Sequence, residues 1–327
     1  WHLTKGTVFA TDLTNASRTN LFNIKDLKWD DDLLDLFGVK KSILPDVQES
    51  DGFYGKSELL KKKIPIYGVI GDQQSAAIGQ KCFNVCDIKS TYGTGCFVIQ
   101  NTGKEIAYSK NKLLSTIAYK IKGETTYALE GSIFMAGAII DWLKNNLQLI
   151  DNYNELNDIL LNSEINPEVV MVPAFTGLGA PHWKPNSRAS ISGLTRDTNK
   201  NDVIVASIQS VSLQTYDLIE AIHEDTHDLF EKSPQGIKVD GGMTENHWFL
   251  QNLSDICDTK IIKSSEQEAT ALGAATLSAL GSNEINDLSE FNINSNENIE
   301  FLPKIKKQLR SKIIKNWDIA INRTIND

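Results

Sequence analysis

The sequence has few cysteines and no excess of positive charge. Its 327 residues include four cysteines, Cys82, Cys86, Cys96 and Cys257, and these form neither a paired C-x-x-C set nor a dense disulfide framework. We therefore expect reduced thiols, although Cys82 and Cys86 could form half of a metal site. Lys and Arg number 33 against 42 Asp and Glu, a net charge of −9. This balance argues against a nucleic-acid partner, because a phosphate backbone is bound by a basic surface.

Long apolar runs are also absent. No run approaches the roughly 20 residues that cross a membrane, and no charged-then-apolar leader opens the chain. We therefore expect a soluble, cytoplasmic protein without a membrane span. The first residue is Trp1 rather than Met, which predicts either processing or a fragment. A hydrophobic content of 41% over 327 residues is enough for a large core and two domains.

The patterns that are present indicate a mixed α/β protein. The stretch "IPIYGVIGDQQSAAIGQK" predicts a strand ending at Ile70, a turn containing Asp72 and a helix of small residues. Two β-rich runs predict a hairpin around residues 93–95. The run "DVIVASIQSVSLQTYDLIEAIHEDTHDLF" predicts one long amphipathic helix, and "GIKVDGG" predicts a strand with a glycine turn. Ligands of such sheets bind beyond the carboxyl ends of strands, where Asp72 is expected.

One motif resembles a zinc site. "HEDTH", residues 223–227, has the HExxH pattern of metallopeptidases. At about 100° per residue, His223 and His227 project roughly 100° or more from the apolar stripe of their helix and share its polar flank. A zinc site needs a walled cleft and a third ligand. Glu245 or His247 could be that ligand, but Glu245 follows a glycine turn with another use. We interpret the motif as the solvent-side edge of a helix.

Acidic residues 30–32 can also be interpreted either as a metal site or as part of a helix. They could bind a metal ion, but they also open the predicted helix "WDDDLLDLFGV". Asp30 is suited to the N-cap, and the helix N-terminus favours the acidic residues that follow it. We therefore predict a capped, solvated turn.

Three glycine turns follow predicted strands: "YGTG", "MAG" and "DGG". A phosphate chain needs several backbone N–H donors, and only residues without side chains let the backbone come close. Each turn alone is weak evidence. Together with an aspartate at the end of a neighbouring strand, they combine nucleotide binding with a carboxylate base, which is the equipment for phosphoryl transfer to a hydroxyl group. We predict an ATP-dependent kinase of a small hydroxylated substrate.

Seven segments carry a family resemblance. In chain order they are TDLTNASRT (11–19), GDQQSAAIGQ (71–80), STYGTGCF (90–97), ALEGSIFMAGA (128–138), VPAFTGLGAPHW (172–183), ISGLTRD (191–197) and VDGGMTEN (239–246). In order and spacing they resemble the motifs of the FGGY carbohydrate kinases, and within that group the glycerol kinases more than the xylulose or gluconate kinases. The resemblance implies a two-domain α/β fold of the hexokinase/actin/Hsp70-like (ribonuclease H-like) ATPase type. It implies the remaining part of a substrate domain at 1–77 and a nucleotide-binding domain at 78–327.

The resemblance also implies ATP and Mg²⁺ in the cleft, with glycerol deeper inside. Asp72 matches the catalytic base, Gln73 a glycerol-contacting amide, and Phe97 an aromatic wall against the carbon chain. The matches to nucleotide-binding positions are Gly93, Thr94, Gly95, Gly137, Gly242 and Asn246. From the residues alone, Asp72 is equally well explained as a helix N-cap, and Asn246 as a polar group of a first helical turn.

Several positions depart from the family pattern. Asp141 stands where a glutamine near the nucleotide is common. The segment around Lys61 to Lys63 lacks the glycine-rich motif that is linked to fructose bisphosphate inhibition in some relatives, although these lysines could attract anions. Gly52 stands where some relatives have a phosphorylated histidine.

Gly273 fits a helix packed near the hinge or, equally, plain core packing. The resemblance further implies a homodimer or homotetramer.

The largest departure concerns the family's opening motifs. A Gly-Thr-Thr-Ser phosphate loop, a metal-orienting aspartate, and an Arg-Glu pair with a tyrosine for glycerol are not found. We therefore expect the chain to lack the N-terminal third of such an enzyme and to be inactive alone. Two alternatives stay open: another sugar or polyol kinase of the group, of pentulose or gluconate type, and a nucleotide-binding relative without catalysis.

Overall fold

A computed structural model describes residues 1–57, 59, 62–230, 234–264, 266, 268–290 and 298–326. The strands are β1 Ala10–Asp12, β2 Phe22–Asn23, β3 Lys28–Trp29, β4 Asp46–Gln48, β5 Phe53–Ser57, β6 Ile64–Tyr67, β7 Ile88–Tyr92, β8 Cys96–Gly103, β9 Leu114–Ile121, β10 Glu124–Ile133, β11 Val170–Val172, β12 Ser190–Ser192, β13 Ile237–Asp240, β14 Ile261–Lys263 and β15 Ile299–Phe301. The α-helices are α1 Leu13–Ala16, α2 Asp31–Phe37, α3 Asp72–Gly79, α4 Ala138–Asp141, α5 Tyr153–Asn162, α6 Lys200–Thr226, α7 His247–Cys257, α8 Ala269–Gly281 and α9 Lys307–Asn326. A π-helical segment, Trp142–Asn146, continues α4.

The main sheet joins seven of the described strands in the order β15-β14-β13-β7-β8-β10-β9. Strands β14, β13 and β7 run parallel, while β7, β8, β10 and β9 alternate in direction. In the parallel pair, Asp240 lies opposite Thr91, so both strands end at one edge of the sheet. The turn after β13 therefore lies beside the turn after β7.

Helices cover both faces of this sheet. Side chains of a strand alternate between its faces, so neighbours along one strand enter different cores. On β8, Val98 joins the large core with α6 and α7, whereas Ile99 joins a smaller cluster with Ala77 of α3. The strands therefore lie between two apolar layers, as in a doubly covered α/β sheet.

The N-terminal segment packs on the far end of the sheet. Phe22 and Trp29 pack edge to face at 5.4 Å and form a cluster with Ile117 of β9. Arg18 adds two parallel hydrogen bonds of 2.7 and 2.8 Å to the buried carboxylate of Glu130 on β10. A bidentate contact of this kind fixes orientation as well as position.

Two element boundaries differ from the sequence prediction. Strand β6 ends at Tyr67 rather than Ile70, because Gly68 has φ +75° and a side chain there would lie 2.7 Å from the Ser278 nitrogen of α8. Helix α6 ends at Thr226, four residues before Phe230. The predicted cap of α2 is confirmed, since the Asp30 carboxylate accepts a hydrogen bond from the Leu33 N–H at 3.1 Å.

No helix within the described ranges is both long and apolar enough to cross a lipid bilayer. The cysteines, all of which lie in these ranges, are not joined by disulfides.

Candidate active site

Asp72 begins α3 at the carboxyl side of a strand, as predicted. Gly71, and not Asp72, holds the N-cap position, so the N-cap explanation of Asp72 is wrong. The Asp72 side chain is exposed, and its Oδ1 accepts a hydrogen bond from the Gln73 N–H at 2.7 Å. A carboxylate in the first turn is stabilised by the positive end of the helix. The turn therefore presents a carboxylate oxygen toward solvent.

A buried network behind this turn was missed by the sequence analysis. The Gly71 N–H donates to the Thr14 Oγ1 at 2.8 Å, and the Thr14 hydroxyl donates to Asp12 at 2.6 Å. Asp12 is fully buried, caps α1 and also accepts a hydrogen bond from Ser50 at 3.1 Å. The motif TDLTNASRT thus fixes the turn that carries Asp72. In the sequence, only the presence of this motif indicated a role for these residues. The hydrogen bond itself could not be predicted, because its two residues are about 57 positions apart.

Gln73 meets a second unpredicted residue, Lys89 of β7. The Lys89 Nζ donates to the Gln73 Oε1 at 2.6 Å, and the lysine is fully buried. Burial lowers the pKa of Lys89 below its usual value, while the nearby Asp240 carboxylate acts in the opposite direction. A cation without water must be held by hydrogen bonds, which ties the lysine to the Gln73 amide.

The hairpin of residues 93–95 joins β7 to β8 and is confirmed by the antiparallel pairing of these strands. Gly93 and Thr94 are exposed, and their carbonyl groups accept hydrogen bonds from the turn at residues 136–138. The Gly137 N–H donates to Gly93 O at 2.9 Å, and a Cβ on Gly137 would lie 2.6 Å from the same oxygen. The "YGTG" and "MAG" turns are therefore locked together, and the second requires glycine.

The "DGG" turn packs against the base of this hairpin. Gly241 has φ +95°, and a Cβ there would lie 2.4 Å from the Tyr92 carbonyl oxygen, so only glycine fits. Gly242 is exposed and has open space around its Cα. The turn borders a cavity of about 240 Å³ that includes the Lys263–Glu245 ion pair of 2.8 Å. The exposed backbone of this turn suits an anionic ligand, while the cavity is lined by three carboxylates, Asp240, Glu245 and Glu266, beside Lys263.

Asn246 lies behind the "DGG" turn. It is buried and caps α7, accepting a hydrogen bond from the Phe249 N–H at 2.8 Å. Its amide nitrogen donates to the Asn157 Oδ1 of α5 at 2.6 Å. Both ends of the side chain thus bind protein groups, and a contact with nucleotide stays a prediction.

Phe97 lies on the same face of the sheet as Lys89. It pairs directly with Thr91 across β7 and β8, and it remains 39% exposed on an otherwise buried strand. An exposed ring at this position could line a cleft. The structure brings the predicted site residues to one edge of the sheet, and their ligands stay predictions.

Gly273 of α8 packs against α3. A Cβ on Gly273 would lie 1.9 Å from the Ser75 carbonyl oxygen, and one on Gly79 would lie 2.0 Å from the Ala269 oxygen. Close helix packing is therefore the observed role of Gly273, and this packing supports the helix that begins with Asp72.

The HExxH residues lie elsewhere. His223 and His227 are exposed on the polar flank predicted for them, with stacked rings 6.0 Å apart. They border a cavity of about 340 Å³ with a mixed polar and apolar lining. No group of three or more His, Cys, Asp or Glu able to bind a metal ion occurs in the part of the chain that the structure describes. Asp225 binds the Lys110 N–H at 2.8 Å, so the motif anchors a surface loop.

One departure from the family pattern, Asp141, can be placed in the structure. Asp141 is exposed at the end of α4, close enough to Tyr153 to act with burial in raising the pKa of that phenol. Lys61 lies outside the described residues.

Comparison with known proteins assigns the family. The model of the FGGY family of carbohydrate kinases, C-terminal domain, matches residues 88–282, and the N-terminal domain model matches residues 1–79. A glycerol kinase of Coxiella burnetii (strain Dugway 5J108-111) is 44% identical over 327 residues, 99% of this chain and 64% of the relative. A glycerol kinase of Alteromonas mediterranea is 45% identical over 325 residues, covering 99% and 65%. The chain spans 64 to 65% of the length of these relatives, which is less than two thirds.

Solved structures agree on the fold. Plasmodium falciparum glycerol kinase with ADP has a TM-score of 0.90 and 38% identity, covering 99% of this chain and 64% of that chain. A ligand-bound xylulose kinase from Lactobacillus acidophilus has a TM-score of 0.84 at 22% identity, covering 96% and 64%, and shows likeness of fold alone. The predicted hexokinase/actin-like fold is confirmed, while the domain boundary at 77/78 stays a prediction. The chain belongs to the FGGY family of carbohydrate kinases.

Proposed function

We propose that this protein catalyses ATP-dependent phosphorylation of glycerol to sn-glycerol 3-phosphate. The observation that carries the proposal is the meeting of two glycine turns at one sheet edge, where Gly241 packs on the Tyr92 backbone, with the Asp72 turn on the adjoining helix. The identity of 44% to a glycerol kinase supports glycerol as the substrate.

The chemistry follows from the groups that each turn presents. Exposed backbone at Gly93, Thr94 and Gly242 can approach the phosphates of ATP closely. Asp72 would accept the proton of the attacking hydroxyl, because its carboxylate is exposed and anchored by its own helix. Transfer in such enzymes depends mainly on positioning and charge stabilisation, which rigid turns supply.

Mg²⁺ fits the end of β13. The Asp240 Oδ1 is buried and has no hydrogen-bond partner within the described residues. Carboxylate oxygens are preferred ligands of Mg²⁺, which in nucleotide sites also binds phosphate oxygens. The ion would supply charge neutralisation of the phosphates, and Asp240 would hold it from the protein side.

The 327 residues alone are proposed to give little turnover. Their length is 64% of the matched glycerol kinase, and the sequence contains no Gly-Thr-Thr-Ser segment for a second phosphate loop. Half of a phosphate clamp positions the reacting groups poorly. Glycerol-dependent ADP formation by the isolated 327 residues at the rate of the native polypeptide would contradict this.

The proposed base is tested in the native polypeptide, with any residues that accompany these 327. Asp72→Asn should lower kcat at least a hundredfold, because general base catalysis contributes about 10²–10⁴ in rate. Asp31→Asn is a matched control, since Asp31 is also an exposed first residue of a helix. ATP affinity should be unchanged in both variants. Retained turnover in Asp72→Asn would remove it as the base.

Two other candidates are separated by a substrate panel. Xylulose or gluconate turning over faster than glycerol would assign a different sugar or polyol kinase. ATP binding without transfer to any of them would assign a nucleotide-binding relative. A cytoplasmic location and a homodimer or homotetramer are further parts of the proposal, and sedimentation of the purified protein tests the second.

A further inference from the structure

Lys89 is a cation that the proposed chemistry does not use. It lies on β7, fully buried, on the face of the sheet that carries Ile99 and Ala128. A buried ammonium is costly unless hydrogen bonds replace its water, and such perturbed groups are candidates for functional roles. Its position between α3 and β13 places it behind both the Asp72 turn and the "DGG" turn.

The contacts of Lys89 differ from those of the lysine beside it. Lys238 lies opposite Lys89 in the parallel pairing of β13 and β7, and its Nζ donates to the Lys81 carbonyl at 2.7 Å near the surface. Lys89 instead donates to the Gln73 Oε1 at 2.6 Å. Within the described ranges, no carboxylate lies within ion-pair distance of Lys89, although the buried Asp240 attracts it through space.

This contact determines which end of the Gln73 amide remains for a ligand. An ammonium group only donates hydrogen bonds, so the oxygen end of the amide must face Lys89. The amide nitrogen, which only donates, is left at the other end. A ligand group beside it must therefore accept a hydrogen bond, as a hydroxyl oxygen does.

We propose that Lys89 is a positioning residue that holds Gln73 with its NH₂ group toward the substrate, so that the site selects a polyol hydroxyl oxygen as acceptor. The inference rests on the proposed function for the identity of the substrate. It does not depend on that function for the Lys89–Gln73 contact itself.

Kinetics of the native polypeptide test the positioning role. Lys89→Met should raise the KM for glycerol at least tenfold and change the KM for ATP less than twofold. Lys238→Met, which removes the neighbouring lysine on the same face, should leave both constants unchanged. In a Gln73→Met background, Lys89→Met should change the glycerol KM less than twofold, since Lys89 acts through the amide. Equal effects in both backgrounds would overturn the inference.

Gln73→Glu tests the polarity of the amide and does not require a stable Lys89 variant. The glutamate can still pair with Lys89, but it presents an oxygen in place of the NH₂ group. Glycerol KM should rise at least tenfold while the thermal midpoint is kept. Wild-type glycerol affinity in this variant would overturn the inference.

A measurement without turnover separates this inference from the proposed function. The Gln73 side-chain NH₂ resonance should shift in Lys89→Met and stay unchanged in Lys238→Met. An unchanged resonance in Lys89→Met overturns the inference even in an enzyme that phosphorylates glycerol. A shifted resonance in a protein that phosphorylates no polyol supports the Lys89 contact and overturns the proposed function alone.

Discussion

At the scale of single residues, the hydroxyl of Thr14 links the N-terminal segment to the Asp72 turn. Thr14→Val removes the acceptor of the Gly71 N–H and leaves Asp12 without one of its donors. We expect a loss of about 1–3 kcal/mol in the free energy of unfolding, the usual cost of an unsatisfied buried group. We also expect a lower kcat, because the turn loses its anchor.

Urea unfolding and steady-state kinetics measure these two effects. Thr19→Val is the control, since Thr19 is exposed and, among the described residues, its hydroxyl binds only the carbonyl of Ala16 and the N–H of Leu21. Equal losses in the two variants would show that the Gly71 link is unimportant.

Two glycines of the proposed nucleotide site should respond differently to a methyl group. Gly137→Ala places Cβ 2.6 Å from Gly93 O, so both stability and nucleotide affinity should fall. Gly242→Ala meets no atom within 4 Å, so stability should be kept while ADP affinity falls at least tenfold by blocking close approach. Thermal unfolding and ADP titration by calorimetry distinguish the two. Unchanged ADP affinity in Gly242→Ala would argue against phosphate at that turn.

The residues that form the turns could be predicted from the sequence. The buried residues that hold these turns in place could not. Asp72 and the glycines stand out because turn chemistry is local. Thr14 and Lys89 depend on partners in other elements, Gly71 and Gln73, and no local pattern indicates that a lysine in a strand will be buried.

At the scale of elements, the contact of α8 with α3 sets the position of the helix that begins with Asp72. Gly273→Ala places Cβ 1.9 Å from the Ser75 oxygen, so the two helices must move apart. Such overpacking typically costs about 1–3 kcal/mol. We expect that loss in urea unfolding, together with a lower kcat.

Ala275→Val provides the comparison for this change. Ala275 is exposed on the same helix, and the larger side chain should cost only a few tenths of a kcal/mol through helix propensity. Full activity in Gly273→Ala would show that the spacing of α3 and α8 does not affect the site.

Element types were largely predictable, while boundaries depended on tertiary contacts. The hairpin at 93–95 and the cap at Asp30 follow from turn and capping chemistry. The early end of β6 follows from the approach of Gly68 to Ser278, which is about 210 residues away in sequence and leaves no local trace.

At the scale of the whole molecule, buried thiols make stability sensitive to alkaline pH. Burial raises the pKa of Cys82 from 9.0 to about 12, and that of Cys96 likewise. Between pH 9 and 12 the unfolded chain loses these protons while the folded protein keeps them. The unfolded state then binds fewer protons, so the free energy of unfolding falls as pH rises, by about 1.4 kcal/mol per pH unit for each thiol.

Cys82→Ala should therefore flatten the dependence of unfolding free energy on pH, measured by urea unfolding from pH 9.5 to 10.5. The slope is the readout, because lost packing shifts all pH values equally. Ile99→Val is the control: Ile99 packs in the same cluster and does not titrate, so the slope should stay that of the wild type. An unchanged slope in Cys82→Ala would contradict the assignment.

The global fold was predictable through the resemblance of the ordered motifs, and not through periodicity. Alternation of strands and helices indicates an α/β protein, but the strand order β13-β7-β8-β10 requires contacts between residues about 150 positions apart. The strand order could be expected only because the ordered motifs resemble those of a family with this fold.

The backbone contact of Gly241 with Tyr92 limits how the protein could evolve. A Cβ on Gly241 or Gly137 would lie 2.4 or 2.6 Å from a main-chain oxygen of the neighbouring hairpin, so neither position accepts a side chain unless that hairpin moves. A change of preferred nucleotide would have to come from exposed positions such as Asp141 and Tyr153. In a laboratory selection for a new phosphate donor, productive mutations should therefore collect at exposed positions, on α4 and α5 and at Gly242, while Gly137 and Gly241 stay invariant.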